Sequence, residues 1–591
     1  MPCRSDVTPE RTAAAYRTVR DRLAAGRTDA GHWVGELSSS SLATATAVLA
    51  LLRLTDAAPD RRAVEKLVAK GTRSLLATQN EDGGWGDTDR SQSNLSTTVL
   101  AYATLRAVRD AGRYLTDTPF RDAEDYLRRA GGIEAVLGRY GNDKTFSVPI
   151  LTHCAIAGVW PWEKVPPLPF ELAAIPPELY RLAKMPVVSY ALPALIAVGQ
   201  ARHARVDPPL PMKLVRDRAV GPTLRRLTQI QPGGGGFLEA TPLTAFVAMS
   251  LAAAGRGSHA VATKALEFLI GAARADGSWP IDTNLATWVT TSAVNAVDGD
   301  VSARDGVVEW LRGQQYLRKH PYTNAAPGGW AWTDLSGGVP DADDTAGAVR
   351  ALLSLTDGGD DALLRLELAA AVGWLLDLQN DDGGFPTFCR GWGLLPFDRS
   401  SADITAHVLR AFSVWRDAAA GHGHPLRPRV DAAETLALRY LTGTQADDGS
   451  WTPLWFGNEH VADETSPVFG TARVVAALKS EGPAEATLGR GLAYLRDAQQ
   501  DDGSWGGGPG SEPSLEETAL ATAALLRHEP DGDAADAGVA AVVRAVEEGG
   551  LDAAAPIGLY FEKLWYYEQT YPAIFAAEAL RLATERSTSA P

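Results

Sequence analysis

The 591-residue chain is 45% hydrophobic and carries a net charge of −16, which is enough apolar material for more than one core and the wrong sign for a nucleic-acid partner. Its three cysteines, Cys3, Cys154 and Cys389, lie far apart and form no C-x-x-C pair, so neither a disulfide framework nor a zinc ribbon is supported.

In chain order, the opening MPCRSDVTPERTAAAYRTVR has no apolar run of signal-peptide length, and no stretch further on is apolar enough to span a bilayer. The reading is a cytoplasmic protein, with contact to the inner face of a membrane left open. GHWVG around Trp33 is a degenerate first copy of a turn that then recurs. QNEDGGW ends at Trp85, QPGGGGF at Phe237, ADGSW at Trp279, APGGW at Trp330, QNDDGGF at Phe385, QADDGSW at Trp451 and QQDDGSW at Trp505. Gln79, Gln231, Gln379, Gln445 and Gln499 each stand six residues before their aromatic. A helix opening on Thr with small apolar residues follows each copy, as in STTVLAYATL and FGTARVVAAL, and another apolar-periodic helix usually precedes it. Two helices per unit, repeated around a circle with small-residue faces inward, give an all-α fold of α/α barrels. The Gln and Trp of the turn read as ties between helix ends and carry no chemistry. The segment from Val159 to Pro186, rich in Pro, Trp and Leu, reads as a long packed loop or a membrane-facing patch.

At VPDADDTAGAVRALLSL the repeat changes character: Asp341, Asp343 and Asp344 crowd the start of one helix. A single acid there already gains ~0.3–1 kcal/mol from the helix dipole. Three repel one another, so one of them can keep its proton at neutral pH. The cluster therefore fits a cap, a metal ligand set or a proton donor. Aligning Thr345 with Thr405 sets Asp343 opposite Asp403 and places His407 at the position of Gly347, on a helix neighbouring the acids. Of the other equivalent helix starts only the last has a comparable acid pair, Glu516 and Glu517.

These residues resemble the class II terpene cyclases, most closely the squalene–hopene cyclase group. DADDTA matches their D-x-D-D-T-A motif, ADITAHVL their histidine segment, WPWEKVPPLPFEL another characteristic stretch, and GSWTPLWFGNE and LYFEKLWYYEQTYP follow in family order. The resemblance implies two α/α barrels enclosing an apolar cavity, with a first domain over 10–272 and a second over 273–591, residues 1–9 packing on the latter. It implies that Asp343 protonates a terminal alkene, that Asp341 and Asp344 set its proton geometry and acidity, and that His407, as imidazolium, stabilises the carboxylate left behind. It nominates Trp288, Trp332, Phe388, Trp455, Tyr560 and Tyr567 as aromatic faces for the cationic intermediates. Asp334 and His153 stand where that group carries an aromatic residue.

The implied partner is a linear isoprenoid, with squalene first; a prenyl diphosphate of drimenyl or copalyl type, or a polyprenylated aromatic, is the alternative. No metal and no cofactor are expected, with magnesium needed only for a diphosphate substrate, and a homodimer is left open. A prenyl-binding scaffold without catalysis would leave the acid triad dispensable. A protein prenyltransferase would need a zinc set, for which Cys389 and the histidines of GHGHP have no recognisable spacing.

Overall fold

The computed structural model describes residues 7–141, 143–176, 190–356, 362–388, 390, 397–419, 424–559 and 563–589. Among these, 22 α-helices account for most of the chain, and the only β-structure beyond isolated bridges is two two-residue ribbon pairs.

Six helices form the inner ring of the C-terminal half: Ala286–Ala296, Ala342–Leu355, Ala402–Ala418, Pro467–Val475, Leu515–His528 and Tyr571–Ser589. Each packs on the next, and the last returns to the first. They are built from Ala, Gly, Thr and aliphatic residues and are buried on nearly every side, so only small side chains let neighbouring backbones approach. The outer helices Arg304–Gly313, Ala362–Leu378, Arg427–Thr444, Glu485–Asp497 and Asp533–Glu547 pack against this ring. Pro9–Ala25 closes the outer layer. It lies in the stretch assigned above to the first barrel, yet its apolar stripe of Ala15, Val19 and Leu23 belongs to the core of the second ring, on Tyr571–Ser589 and Asp533–Glu547. The N-terminal half has its own core, in which Ser41–Leu54, Leu95–Asp110, Lys144–Ala157 and Thr241–Ala253 pack in a ring with Leu192–His203 beside them. The chain crosses between the two cores at Ser39–Ser40, which pair antiparallel with Trp279–Pro280.

The repeat works through one set of bonds. In all eight turns the aromatic residue's backbone N–H donates to a Thr hydroxyl on an inner helix, from Trp33 to Thr290 (3.0 Å) through Trp330 to Thr345 (3.0 Å) to Trp505 to Thr518 (3.0 Å). Each Trp indole N–H donates to a Leu carbonyl on the preceding outer helix, as Trp33 does to Leu23 and Trp85 to Leu75, both at 2.7 Å. Gln79, Gln231, Gln379, Gln445 and Gln499 span from their own turn to the next outer helix. Gln315 does the same for the Trp330 turn across a longer insertion. The amide and indole are thus ties between helix ends, each bond contributing about 1 kcal/mol net.

Candidate functional site: an aspartate triad under an aromatic cavity

The Trp330 turn sets the acids. Asp341 N–H donates to Trp330 O at 2.9 Å, and the Thr345 hydroxyl that receives Trp330 N–H donates back to Asp341 O. Asp341 thereby becomes the N-cap of Ala342–Leu355, its Oδ1 accepting from Asp344 N at 2.8 Å. Asp343, in the first helical turn between Asp341 and Asp344, projects into a cavity of about 700 Å³ of atom-free space.

The three carboxylates meet different surroundings. Asp341 and Asp344 are 3% exposed, whereas the Asp343 side chain retains 24% of its surface towards the cavity. Burial, with the charge of Asp343 adding to it, pushes Asp341 up to about 8. Burial and the charges of both neighbours push Asp344 well above the carboxylate range. Burial first, and the crowding expected from the sequence second, favour the protonated forms of Asp341 and Asp344. Asp403, raised by burial, lines the same cavity and accepts the Ser401 hydroxyl.

Asp343 itself is held by donors. Trp288 Nε1 donates to its Oδ2 at 2.8 Å, Arg473 Nη2 lies 3.5 Å from Oδ1, and His407 Nε2 lies 4.0 Å from the same oxygen. Arg473 also donates to His407 Nδ1 at 3.1 Å. With Nδ1 accepting, the neutral ring carries its proton on Nε2, facing Asp343. Burial, then the charges of Arg473, Arg350 and Arg410, hold His407 well below its usual range. The imidazolium expected from the sequence is therefore disfavoured here: the fixed cation beside Asp343 is Arg473, and the His407 ring is oriented by it.

Trp288, Trp332, Phe388 and Trp455 line the cavity as nominated. Trp455 is fixed by its indole N–H on the Thr387 hydroxyl at 2.8 Å. Trp288 packs on Tyr571 with ring centroids 4.7 Å apart. Phe397, Phe456, Tyr566 and Tyr571 complete the aromatic wall and were not foreseen. Three nominated residues lie elsewhere. Asp334 is exposed on the loop and reaches Asn284 at 3.4 Å, while Trp332, two residues earlier, takes the place facing the acids. His153 is buried against the Thr104 hydroxyl and Leu100 O, edge-on behind Phe246, and burial lowers it to about 3. Tyr567 turns away from the cavity, its hydroxyl on Asp89 at 2.8 Å and its ring under Arg90. Tyr560 and Cys389 lie outside the described residues.

A second cavity of about 680 Å³ lies in the N-terminal core, lined by Leu42, Leu100, Phe146, Ile150, Leu243 and Phe246 among other uncharged residues. Tyr190 on its rim meets Phe388 and Phe397 of the acid cavity, at centroid distances of 5.9 and 3.7 Å.

An acid facing an aromatic chamber suits the protonation of a substrate as weakly basic as an alkene, and on this fold that chemistry defines a class II terpene cyclase. The family comparisons agree. The squalene-hopene cyclase N-terminal domain matches residues 17–191 and the squalene-hopene cyclase C-terminal domain matches residues 280–527. The chain belongs to the squalene–hopene cyclase family and is an enzyme of the intramolecular-transferase type. It is 27% identical over 559 residues to the squalene–hopene cyclase of Alicyclobacillus acidocaldarius, covering 80% of this chain and 79% of that one. It is 28% identical over 268 residues to the drimenyl diphosphate synthase of Streptomyces showdoensis, covering 44% of each chain. Among solved structures it resembles ent-copalyl diphosphate synthase from Streptomyces platensis in fold, with a TM-score of 0.57 at 20% identity, over 97% of this chain and 99% of that one.

Proposed function

We propose that the protein cyclises squalene to a polycyclic triterpene, with Asp343 as the acid that protonates the terminal alkene. The observation that carries this reading is Asp343 under an aromatic wall, with the Trp288 indole bonded to it and Arg473 and His407 beside it. The Asp343 O–H bond breaks as a C–H bond forms at the alkene terminus, leaving a tertiary cation and a carboxylate. Trp288, Arg473 and His407 stabilise that carboxylate as it develops. Because Asp341 and Asp344 hold protons, they add little negative charge to oppose it. Ring closures then move the cation along faces of Trp332, Phe388, Trp455 and Tyr571, which attract it without bonding to it. The last cation ends by losing a proton or capturing water. The reaction so written consumes no cofactor.

What supports a hydrocarbon over a prenyl diphosphate is the lining of the two cavities, which includes no Lys or Arg to hold a diphosphate. This reading treats each core as a domain, dividing the chain near residue 272 and giving Pro9–Ala25 to the second. It also seats the protein on a membrane face, where so insoluble a substrate resides. Support for that comes from exposed Leu172, Ile175, Leu210, Met212, Leu214 and Val215, interspersed with Lys213 and Arg218, on and beside Leu210–Ile230. Among the described residues no helix is long and apolar enough to cross a membrane.

The deciding experiment gives purified protein squalene in mild detergent with a chelator, beside geranylgeranyl and farnesyl diphosphates with magnesium, and identifies products by mass-detected gas chromatography. A cyclised hydrocarbon or alcohol from squalene is expected. Conversion only of a diphosphate, with the head group retained, would overturn the substrate assignment.

A further inference from the structure

The interior of the second ring does not end at the acid. Measured from the Thr that anchors each turn, Gly347 and Arg350 stand two and five residues along Ala342–Leu355, and His407 and Arg410 stand two and five along Ala402–Ala418. Arg473 is two residues past Thr471, and Arg527 nine past Thr518. Offsets of three and seven residues fall on one helix face, so these side chains form an inward stripe running down the ring from Asp343. Glu578 of Tyr571–Ser589 meets them, with Arg410 Nη2 at 3.1 Å and Arg527 Nη2 on the same oxygen.

Charge in this shaft does not balance. Four guanidinium groups face one carboxylate at the lower end, Glu578, and two at the upper end, Asp343 and Asp403. Arg473 is committed to His407 and Asp343, and Arg410 and Arg527 to Glu578. Arg350 has no hydrogen bond and no ion pair among the described residues, and Arg527 Nε is a buried donor without a partner. Burial and repulsion from Arg410, Arg473 and Arg527 push Arg350 well below the usual guanidinium range. Space is left beside them: the side chains of Arg410, Arg473 and Arg527 keep 14, 16 and 25% of their surface although they point into the ring. Water in that space satisfies donors and leaves the excess charge where it was.

We propose that the shaft beneath Asp343 binds one small inorganic anion of halide size, held by the Arg350 guanidinium with Arg410 and Arg473 beside it. The site is separate from both apolar cavities and independent of which isoprenoid the enzyme takes. The anion offsets the surplus cations and leaves Arg473 free to serve Asp343.

Bromide is the probe. Crystals of the full chain soaked in sodium bromide should give an anomalous peak within hydrogen-bond distance of the Arg350 guanidinium. In parallel, the melting temperature should be higher in sodium chloride than in sodium gluconate at equal ionic strength, and Arg350→Met should abolish both the peak and that difference. Arg350→Lys, which keeps the charge and loses the planar fork, should retain a weaker peak. A wild-type map with no anomalous peak at Arg350 overturns the proposal, whatever the melting curves show, and does so without any variant having to fold.

Discussion

The helix starts at Asp341 and at Ser514 are built alike and put to opposite uses. Both follow a Trp turn, both are capped by a side chain that receives the N–H three residues on, and both place two acids in the first helical turn. At Leu515–His528 every acid is tied down. Glu517 accepts from Asn458, Ser466 and Ser514, and Glu516 receives the backbone N–H of Ala555. At Ala342–Leu355 the corresponding covering is missing above Asp343, and the cavity takes its place. A shared cap geometry gives a structural joint where loops cover it and a carboxyl group open to the cavity where they do not.

The largest break in that comparison is Asp343→Asn, which should lower turnover about a thousandfold, the contribution of a positioned acid. Its melting temperature should stay close to wild type, because the cap belongs to Asp341; a large fall in melting temperature would make Asp343 a structural residue like Glu517. Next comes Arg473→Met, which removes the fixed cation and frees the His407 ring. A loss of about ten- to a hundredfold in kcat with KM nearly unchanged is expected, since Arg473 acts on the acid and does not line the cavity. An equal rise in KM would contradict this. The smallest effect on turnover, within about twofold, belongs to Glu516→Gln with Glu517→Gln. The readout there is stability. Burial raises Glu516 from 4.5 to about 8 and Glu517 from 4.5 to about 7. An acid raised in the fold contributes stability that is complete below its ordinary value and is lost as pH rises through the folded value. The wild-type melting temperature should therefore fall between about pH 4.5 and 8, and the double variant should flatten that fall.

The barrels were legible because one bonding pattern is written eight times, and even the degenerate Trp33 copy makes both of its ties. The triad was legible because it breaks that pattern. Arg473 was missed although the register held it: aligning Thr471 with Thr345 and Thr405 sets Arg473 level with Gly347 and His407. Tyr566 was passed over for Tyr567 because neighbouring side chains along an extended segment point to opposite sides, and only the Trp565–Tyr566 pairing with Gly558–Leu559 fixes which side faces inward. Asp334 and Trp332 differ by two residues in a loop whose path depends on Gly337 N–H bonding Glu239 at 2.7 Å across the boundary between the cores. His153 was nominated because the family carries an aromatic residue at its position, and here the side chain is instead buried on the Thr104 hydroxyl and Leu100 O.

Pro9–Ala25 has a consequence for assembly. It is synthesised long before its seat on Tyr571–Ser589. Between those moments the N-terminal core can complete its own packing while this helix waits with Ala15, Val19 and Leu23 uncovered. The second ring then closes on a segment more than 500 residues upstream, so an early helix serves as the latch for a late one.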